Sequence, residues 1–238
     1  MKKKNNFFIC LILISLVIIN IVVVINYSNN QKHIINLNNN FRPELTKIII
    51  IGDSRMELIE NDRDTLNVPN NIIFKARSGA RMYWLNKVAM PWLRKQLDNK
   101  NKKYKYRVLF NLGVNDLNSD LEPNIIAKDY LKFYKRIIFE NQDVNFYFLS
   151  VNPIDEKTIN NFFINQKRTN KKIEEFNNYF MNNIKGFNNI SYCDSYNTLN
   201  INFYDGLHFD FETNKTILNY LINVCFKLND FSKTKAYN

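Results

Sequence analysis

Four consecutive isoleucines, Ile48–Ile51, constrain the fold more than any other feature of this 238-residue sequence. A run of β-branched residues with no polar position predicts a strand that is buried on both faces. Such strands belong to parallel sheets that are covered by helices on either side. Gly52 follows the run directly and predicts that the strand ends there. The run therefore predicts an α/β fold.

Short apolar runs alternate with longer amphipathic ones along the chain. The predicted strands are Lys47–Ile51, Ile72–Lys75, Arg107–Leu112, Val144–Val151 and Ile190–Cys193. The predicted helices are Ala80–Leu97 with an interruption at Pro91, Ile125–Phe139, Lys171–Ile184 and Asn214–Leu228. This alternation predicts a three-layer α/β/α arrangement around a mainly parallel five-stranded sheet.

The first 26 residues differ in kind from the rest of the chain. Lys2–Lys4 precede Phe7–Ile25, which is apolar apart from Ser15 and Asn20. A transmembrane helix needs about 17–25 such residues, and a basic flank favours the cytoplasmic side. A cleaved signal peptide has a shorter apolar region, of about 7–15 residues, which ends in a small-residue cleavage site. We therefore expect one uncleaved transmembrane helix within residues 1–26, with the remainder of the chain outside the cell.

Residues 27–46 are rich in asparagine and poor in large apolar side chains, which predicts a tether. His33 lies in this tether without a metal-ligand pattern around it. Residues 47–238 are then expected to form one domain.

The chain is basic, with a formal net charge of +11. A positive surface attracts anionic lipid or an anionic wall polymer. No nucleic-acid-binding motif accompanies the charge, so we expect no nucleic-acid partner.

The predicted domain has one histidine and no CxxC pair, and we expect neither a metal nor a cofactor. Cys193 and Cys225 fit either one disulfide or two buried thiols.

Polar residues with catalytic potential follow the ends of the predicted strands. The first three strands run into Gly52-Asp53-Ser54, Ser78-Gly79-Ala80 and Gly113-Val114-Asn115-Asp116, and a fourth segment, Asp205-Gly206-Leu207-His208, lies near the C-terminus. In open parallel sheets, ligands bind outside the carboxyl ends of the strands. The sequence therefore predicts a site at that edge.

Ser54 fits two roles at this edge. With Glu57 three residues later it matches a capping box, in which the hydroxyl accepts from a free helix amide. A serine at a sharp strand-to-helix turn is also where hydrolases expose a nucleophile. The stretch alone favours the cap.

Taken in order, the four segments resemble the sequence blocks of the SGNH (GDSL-like) hydrolase family, across nearly all of the predicted domain. The resemblance implies the flavodoxin-like SGNH hydrolase fold. It implies that Ser54 is the nucleophile, that His208 is its base, and that Asp205 orients His208. It further implies an oxyanion hole formed by the backbone amides of Ser54 and Gly79 and by the side-chain amide of Asn115.

The chemistry needs these residue types in any fold. An alcohol is a poor nucleophile until an imidazole removes its proton, and a carboxylate on the other ring nitrogen holds the useful tautomer. A neutral amide such as Asn115 can donate to a developing alkoxide without titrating.

Three further residues could contact substrate. Arg55 could bind an anionic group, although a solvent-facing position in the first helical turn is favoured. Asn152 could shape the acyl pocket or belong to a polar turn. Tyr83, next to Trp84, could line a sugar-binding cleft or pack in the core.

These residues predict a membrane-anchored exterior serine esterase that acts through a Ser-His-Asp acyl-enzyme. The expected substrate is an O-acylated, and more specifically O-acetylated, cell-surface glycan. An O-acyltransferase with the same residues, a lipid esterase acting on the adjacent bilayer and a catalytically silent glycan-binding module remain alternatives. The sequence does not indicate an oligomeric state.

Overall fold

A computed structural model describes residues 45–184 and 187–227 of the chain. The predicted anchor, residues 1–26, and the tether up to residue 44 lie outside the described residues. Within those described ranges, no helix is long and apolar enough to cross a bilayer. The anchor therefore stays a prediction.

Within the described residues, five strands form one sheet. They are β1 (Leu45–Gly52), β2 (Ile72–Ala76), β3 (Tyr104–Asn111), β4 (Asn145–Leu149) and β5 (Ile190–Cys193). The order across the sheet is β2-β1-β3-β4-β5, and every neighbouring pair is parallel. This is the flavodoxin-like order, in which the chain reverses direction across the sheet beside β1. The predicted five-stranded parallel sheet is confirmed.

The helices alternate with these strands. They are α1 (Ser54–Asn61), α2 (Met82–Trp84), α3 (Met90–Asp98), α4 (Pro123–Glu140), α5 (Ile159–Phe162), α6 (Asn170–Asn183) and α7 (Phe211–Tyr220). Two π-helical stretches, Leu85–Ala89 and Leu221–Cys225, follow α2 and α7. The predicted helix Ala80–Leu97 is interrupted by the π-helical stretch Leu85–Ala89, directly before Pro91. Pro91 has no N–H to donate to the preceding turn and its ring crowds the carbonyl of Lys87, which accounts for the irregular turn at this place.

The isoleucine run of β1 contributes to both faces of the sheet. Ile49 and Ile51 pack into one hydrophobic cluster, which includes side chains from α2, α3, α4 and α6. Ile48 and Ile50 pack into the other, which includes side chains from α1 and α7. All four isoleucines are 0% exposed. Alternation along the strand therefore explains why a run without polar residues lies at the centre of three layers.

Cys193 and Cys225 form a disulfide. The bond joins the end of β5 to the second π-helical stretch and settles the alternative between a disulfide and two buried thiols.

Candidate active site

Ser54 lies at the first position of α1, directly after β1. Asp53 is the N-cap, because its extended backbone lies outside the helix and its Oδ1 accepts from the Arg55 N–H at 3.0 Å. The capping-box reading of Ser54 is therefore wrong. Glu57 instead accepts a hydrogen bond from the Ser78 hydroxyl. Because Asp53 supplies the cap, the Ser54 hydroxyl is available for another partner.

That partner is the one histidine of the predicted domain. His208 Nε2 lies 2.9 Å from Ser54 Oγ, and His208 Nδ1 lies 2.7 Å from Asp205 Oδ2. Ser54 and His208 are 154 residues apart in the chain, so the contact depends on the whole sheet. The structure brings the three residues together in the order hydroxyl, imidazole, carboxylate.

The Asp205 carboxylate is held by its own loop. Its Oδ1 accepts from the backbone N–H groups of Leu207, at 2.9 Å, and His208, at 2.7 Å. Burial acts to raise the pKa of Asp205, but the hydrogen bonds from His208 and Leu207 outweigh it and lower the pKa from its ordinary value. An ionised carboxylate can only accept, so the proton of the neutral ring lies on Nδ1. His208 Nε2 is then the acceptor for the Ser54 hydroxyl.

The predicted oxyanion residues lie at two turns of the same sheet edge. Gly79 has φ +68°, a conformation that glycine adopts without strain. The Asn115 Nδ2 donates to the carbonyl oxygen of Ala80, the residue after Gly79, at 3.1 Å. This contact joins the turn after β2 to the loop after β3. Within the part of the chain that the structure describes, the backbone N–H groups of Ser54 and Gly79 donate to no protein acceptor.

Arg55 is neither solvent-facing nor free to meet a substrate, and both predicted roles are wrong. The residue is 2% exposed. Its guanidinium donates to the carbonyl oxygens of Leu207 at 3.1 Å, Asn152 at 2.8 Å and Pro153 at 2.9 Å. It also lies 4.5 Å from the centre of the Phe209 ring. Burial lowers its pKa to about 10, so Arg55 is a cation at neutral pH.

The other two candidate substrate contacts differ from each other. Tyr83 is 75% exposed, so core packing is wrong for it, whereas Trp84 is buried. The role of Tyr83 in substrate contact stays a prediction. Asn152 is 2% exposed, and its Oδ1 accepts from the Ser195 hydroxyl at 2.6 Å. Asn152 is therefore buried in the loop after β4, as the polar-turn reading expects of this segment, and its contact with the acyl group stays a prediction.

Sequence reasoning missed one charged residue of this site. Arg168 precedes α6 and is 8% exposed. Its Nη2 donates to Asn115 Oδ1 at 3.1 Å, and its Nε donates to the Val114 carbonyl oxygen at 2.8 Å. The flanking sequence, Gln166-Lys167-Arg168-Thr169, is polar throughout and carries no local signal of burial.

Asp116 bonds the loop that carries Asn115 to α2 and α4. Its carboxylate accepts from the Met82 N–H at 3.2 Å and from the Tyr130 hydroxyl at 2.6 Å. Burial raises the pKa of Asp116, although both hydrogen bonds act to lower it. The loop that carries Asn115 is thus bonded through Arg168 and Asp116 to separate elements.

A cavity of about 270 Å³ opens between α6 and the end of β5 and is lined by residues such as Glu174, Tyr192 and Tyr196. None of its lining residues belongs to the arrangement of Ser54, His208 and Asp205. Across residues 45–184 and 187–227, no group of three or more His, Cys, Asp and Glu side chains could hold a metal ion. The side-chain geometry, and not this cavity, therefore locates the candidate chemistry.

Solved structures with this fold include several acylhydrolases. A GDSL-like lipase from Bacteroides thetaiotaomicron is 18% identical with a TM-score of 0.59, over 84% of this chain and 98% of its own. The chain has the fold of the GDSL-like hydrolases. The lipase/acylhydrolase from Enterococcus faecalis is 17% identical with a TM-score of 0.50, over 75% of this chain and 94% of its own. The predicted SGNH (GDSL-like) resemblance is confirmed at the level of the fold.

A third structure with the SGNH fold is named for acyl transfer. It is the C-terminal catalytic domain of peptidoglycan O-acetyltransferase A from Streptococcus pneumoniae, solved with a methylsulfonyl adduct. It is 16% identical with a TM-score of 0.52, over 78% of this chain and 93% of its own. No protein-family model and no curated protein matches the sequence.

Proposed function

We propose that the protein is a serine esterase of the SGNH type that cleaves an ester through an acyl-enzyme on Ser54. The observation that carries the proposal is the 2.9 Å contact between Ser54 Oγ and His208 Nε2, continued by the 2.7 Å contact to Asp205. A base within hydrogen-bond reach of a hydroxyl, itself oriented by a third group, is the arrangement that activates a serine.

The first half of the reaction forms the acyl-enzyme. Ser54 Oγ attacks the ester carbonyl carbon and its proton passes to His208 Nε2. The bond from that carbon to the leaving oxygen then breaks, and His208 returns the proton to the departing alcohol. In the second half, water attacks the same carbon, His208 takes a proton from the water, and the acid leaves as Ser54 Oγ is protonated again.

Negative charge develops on the carbonyl oxygen in both halves. The backbone N–H groups of Ser54 and Gly79 have no protein acceptor in residues 45–184 and 187–227, and the Asn115 amide has a second N–H besides the one bonded to Ala80. These are the donors that we assign to the oxyanion hole. Each such donor stabilises a transition state by about 2.7–4 kcal/mol.

We assign the substrate to the O-acetylated cell-surface glycans. The likeness to a catalytic domain named for peptidoglycan O-acetylation supports this class. The exposed Tyr83, four residues after Gly79, offers an aromatic face to a sugar ring. The net charge of +11 favours approach to an anionic wall polymer.

The test measures acetate release by the purified full-length protein in detergent. We expect turnover of 4-nitrophenyl acetate and release of acetate from O-acetylated wall glycan, with neither activity in Ser54→Ala. A fluorophosphonate probe should label the wild-type protein on Ser54 alone. A folded wild-type protein that neither reacts with the probe nor releases acetate would overturn the proposal in favour of a silent glycan-binding module.

An O-acyltransferase is the second candidate, because the fold is also that of the O-acetyltransferase domain. The acyl-enzyme is the same in both reactions, and only the group that resolves it differs. Adding de-O-acetylated glycan to the ester assay separates them. Acetylated glycan formed in place of free acetate favours the transferase.

We also propose that the domain acts outside the cell, tethered to the membrane by residues 7–25. The basic flank and the apolar run support the orientation. The Cys193–Cys225 disulfide supports the location, because such bonds persist in oxidising environments and are rare in the cytosol.

A further inference from the structure

The direction of the Asn115 amide matters for the reaction. An amide turned by 180° about its last torsion presents an oxygen where the oxyanion needs an N–H, and the contact becomes repulsive. We propose that Arg168 is a positioning residue that holds the Asn115 amide with its nitrogen toward the oxyanion and strengthens it as a donor. The inference rests on the proposed esterase function and adds a residue that none of the four sequence blocks contains.

Two contacts at opposite ends fix the amide. Arg168 Nη2 donates to Asn115 Oδ1 at 3.1 Å, and Asn115 Nδ2 donates to the Ala80 carbonyl oxygen at 3.1 Å. A guanidinium can only donate and a carbonyl oxygen can only accept. The turned amide would therefore place N–H against N–H at one end and oxygen against oxygen at the other.

Arg168 is itself held in place. Its Nε donates to the Val114 carbonyl oxygen at 2.8 Å, so one guanidinium bonds both the backbone and the side chain of the Asn115 loop. The next residue, Thr169, caps α6 by accepting from the Lys172 N–H at 3.2 Å. On the other side, the Lys167 N–H donates to Asn118 Oδ1 at 2.7 Å. The backbone on both sides of Arg168 is thus fixed.

The positive charge of Arg168 acts on the Asn115 amide through the hydrogen bond from Arg168 Nη2 to Asn115 Oδ1. Burial lowers its pKa to about 10, with the Arg81 charge acting in the same direction and Asp53 opposing it. Arg168 is therefore a cation at neutral pH. A cation on Oδ1 draws electron density from the amide, which makes the free N–H on Nδ2 a stronger donor. The benefit grows as charge develops on the substrate oxygen, so it belongs to the transition state and raises kcat more than it lowers KM.

A purely structural role for Arg168 makes a different prediction. If the residue only fastened its loop to Val114, its loss would lower the free energy of unfolding and leave the kinetics of the folded enzyme unchanged. The experiment must therefore separate stability from turnover.

The test compares Arg168→Met and Arg168→Lys with Lys167→Met in the detergent-solubilised full-length protein. Lysine keeps the charge but cannot bond Val114 and Asn115 together, because it lacks the planar fork. Lys167→Met is the matched control, since it removes the 2.5 Å ion pair to Asp120 from the same loop without touching Asn115.

We expect Arg168→Met to lower kcat on 4-nitrophenyl acetate about 10–100-fold with little change in KM. That loss is smaller than the ~10²–10³-fold loss for removing a whole oxyanion donor. Arg168→Lys should fall between Arg168→Met and the wild type, and Lys167→Met should match the wild type.

A double-mutant cycle tests whether Arg168 affects kcat through Asn115. If Arg168 acts through Asn115, Arg168→Met should lower kcat no further in an Asn115→Ala background. Multiplicative losses, or a loss confined to stability, would overturn the inference while leaving the esterase assignment intact. If Arg168→Met does not fold, Arg168→Lys takes its place in the cycle.

A second readout does not depend on turnover. The side-chain amide signals of Asn115 in a ¹⁵N spectrum, recognised by their loss in Asn115→Ala, should shift in both Arg168 variants and not in Lys167→Met. Unchanged signals would overturn the positioning role. A wild-type protein that hydrolyses no ester and escapes the fluorophosphonate probe would instead refute the proposed function and the catalytic part of this inference with it.

Discussion

Two adjacent residues at the start of α1, Asp53 and Ser54, divide the two roles that the sequence allows for Ser54. Asp53 accepts from the helix amide of Arg55, and the Ser54 hydroxyl contacts His208. Stability of the helix start and reactivity of the hydroxyl therefore belong to different side chains. Substitutions at the two positions should separate the two properties.

Ser54→Ala should abolish esterase turnover while leaving the fold nearly as stable as the wild type. Loss of a nucleophile costs up to about 10⁶ in kcat, whereas loss of one hydrogen bond costs about 0.5–1.5 kcal/mol of unfolding free energy. Asp53→Ala should lower that free energy by about 0.5–2 kcal/mol through the lost cap. Turnover of 4-nitrophenyl acetate and urea unfolding are the measurements.

Ser78→Ala is the matched control for Ser54→Ala. Ser78 lies at the same sheet edge, is exposed, and donates to Glu57 and not to the imidazole. Its loss should leave turnover unchanged. Substantial turnover by folded Ser54→Ala protein would show that another group attacks the ester.

Asp205 should make the stability of the protein depend on pH in the acid range. Its folded pKa is lowered, so the ionised carboxylate stabilises the fold. That contribution is complete above the unfolded value of about 3.9 and is lost as the pH falls through the lowered folded pKa. Urea midpoints of the wild type and Asp205→Asn, measured from pH 6 downward, should differ most at the high end and converge in acid. A difference that stays constant over the whole range would contradict the lowered pKa.

The sequence predicts some of the site residues and not others for a physical reason. Ser54, Asp205 and His208 lie in short blocks whose spacing carries a chemical requirement. The contacts of Arg55 with Asn152 and Leu207 span 97 and 152 residues of chain. Whether such an arginine is buried depends on tertiary packing, and no local pattern around it reports that packing.

At the scale of elements, Arg55 joins three parts of the site. It extends from the first turn of α1 to the loop after β4 and to the loop that carries His208, where it bonds the carbonyl oxygens of Asn152, Pro153 and Leu207. The same two loops meet directly, since the Asp155 N–H donates to the Gly206 carbonyl oxygen at 2.9 Å. Arg55 therefore helps to fix the distance between Ser54 and His208.

Arg55→Met should lower the unfolding free energy by about 3–5 kcal/mol, because it leaves buried carbonyl oxygens without donors and Asp53 without a nearby cation. Arg55→Lys should lose less, since it keeps the charge. Urea unfolding of both variants measures the effect. The control is Arg136→Met, which removes an exposed ion pair with Glu140 and should cost under about 1 kcal/mol. An Arg55→Met loss as small as that of the control would show that the buried contacts contribute little.

The limits of a helix were predicted correctly where apolar residues recur at a regular helical spacing. The predicted α4 and α6 end within about two residues of their observed limits, because both have long amphipathic runs. Pro91 predicted an interruption of the helix Ala80–Leu97, but its π-helical form over Leu85–Ala89 escaped prediction because it spans only five residues inside an otherwise helical pattern. The four-residue α5 is likewise too short to show a period.

At the scale of the molecule, the disulfide bears on the stability of the fold and on the compartment in which the domain works. It closes a loop between residues 32 apart and joins α7 and its π-helical extension to the sheet through β5. A bond of this loop length stabilises a protein by about 2–4 kcal/mol. The benefit exists only where the thiols stay oxidised, which agrees with the exterior location proposed from the N-terminal sequence.

The full-length chain should stay in the membrane fraction with its folded domain outside. A lysine flank favours the cytoplasmic side, and an apolar run of this length is what a transmembrane helix needs. Protease added to intact cells without their wall should remove the domain. In a Cys10→Ser background, a maleimide added in denaturant should label Cys193 and Cys225 only after reduction.

A chain lacking residues 2–25 is the matched control for both the protease and the maleimide experiments. It should remain in the cytoplasm, where the domain is protected from added protease and both thiols react in denaturant without reductant. A secreted form beginning near Tyr27 would replace the anchor with a cleaved signal peptide and leave the exterior location standing. Protease protection together with free thiols in the full-length protein would contradict the exterior location itself, because a cytosolic domain is both shielded from added protease and kept reduced.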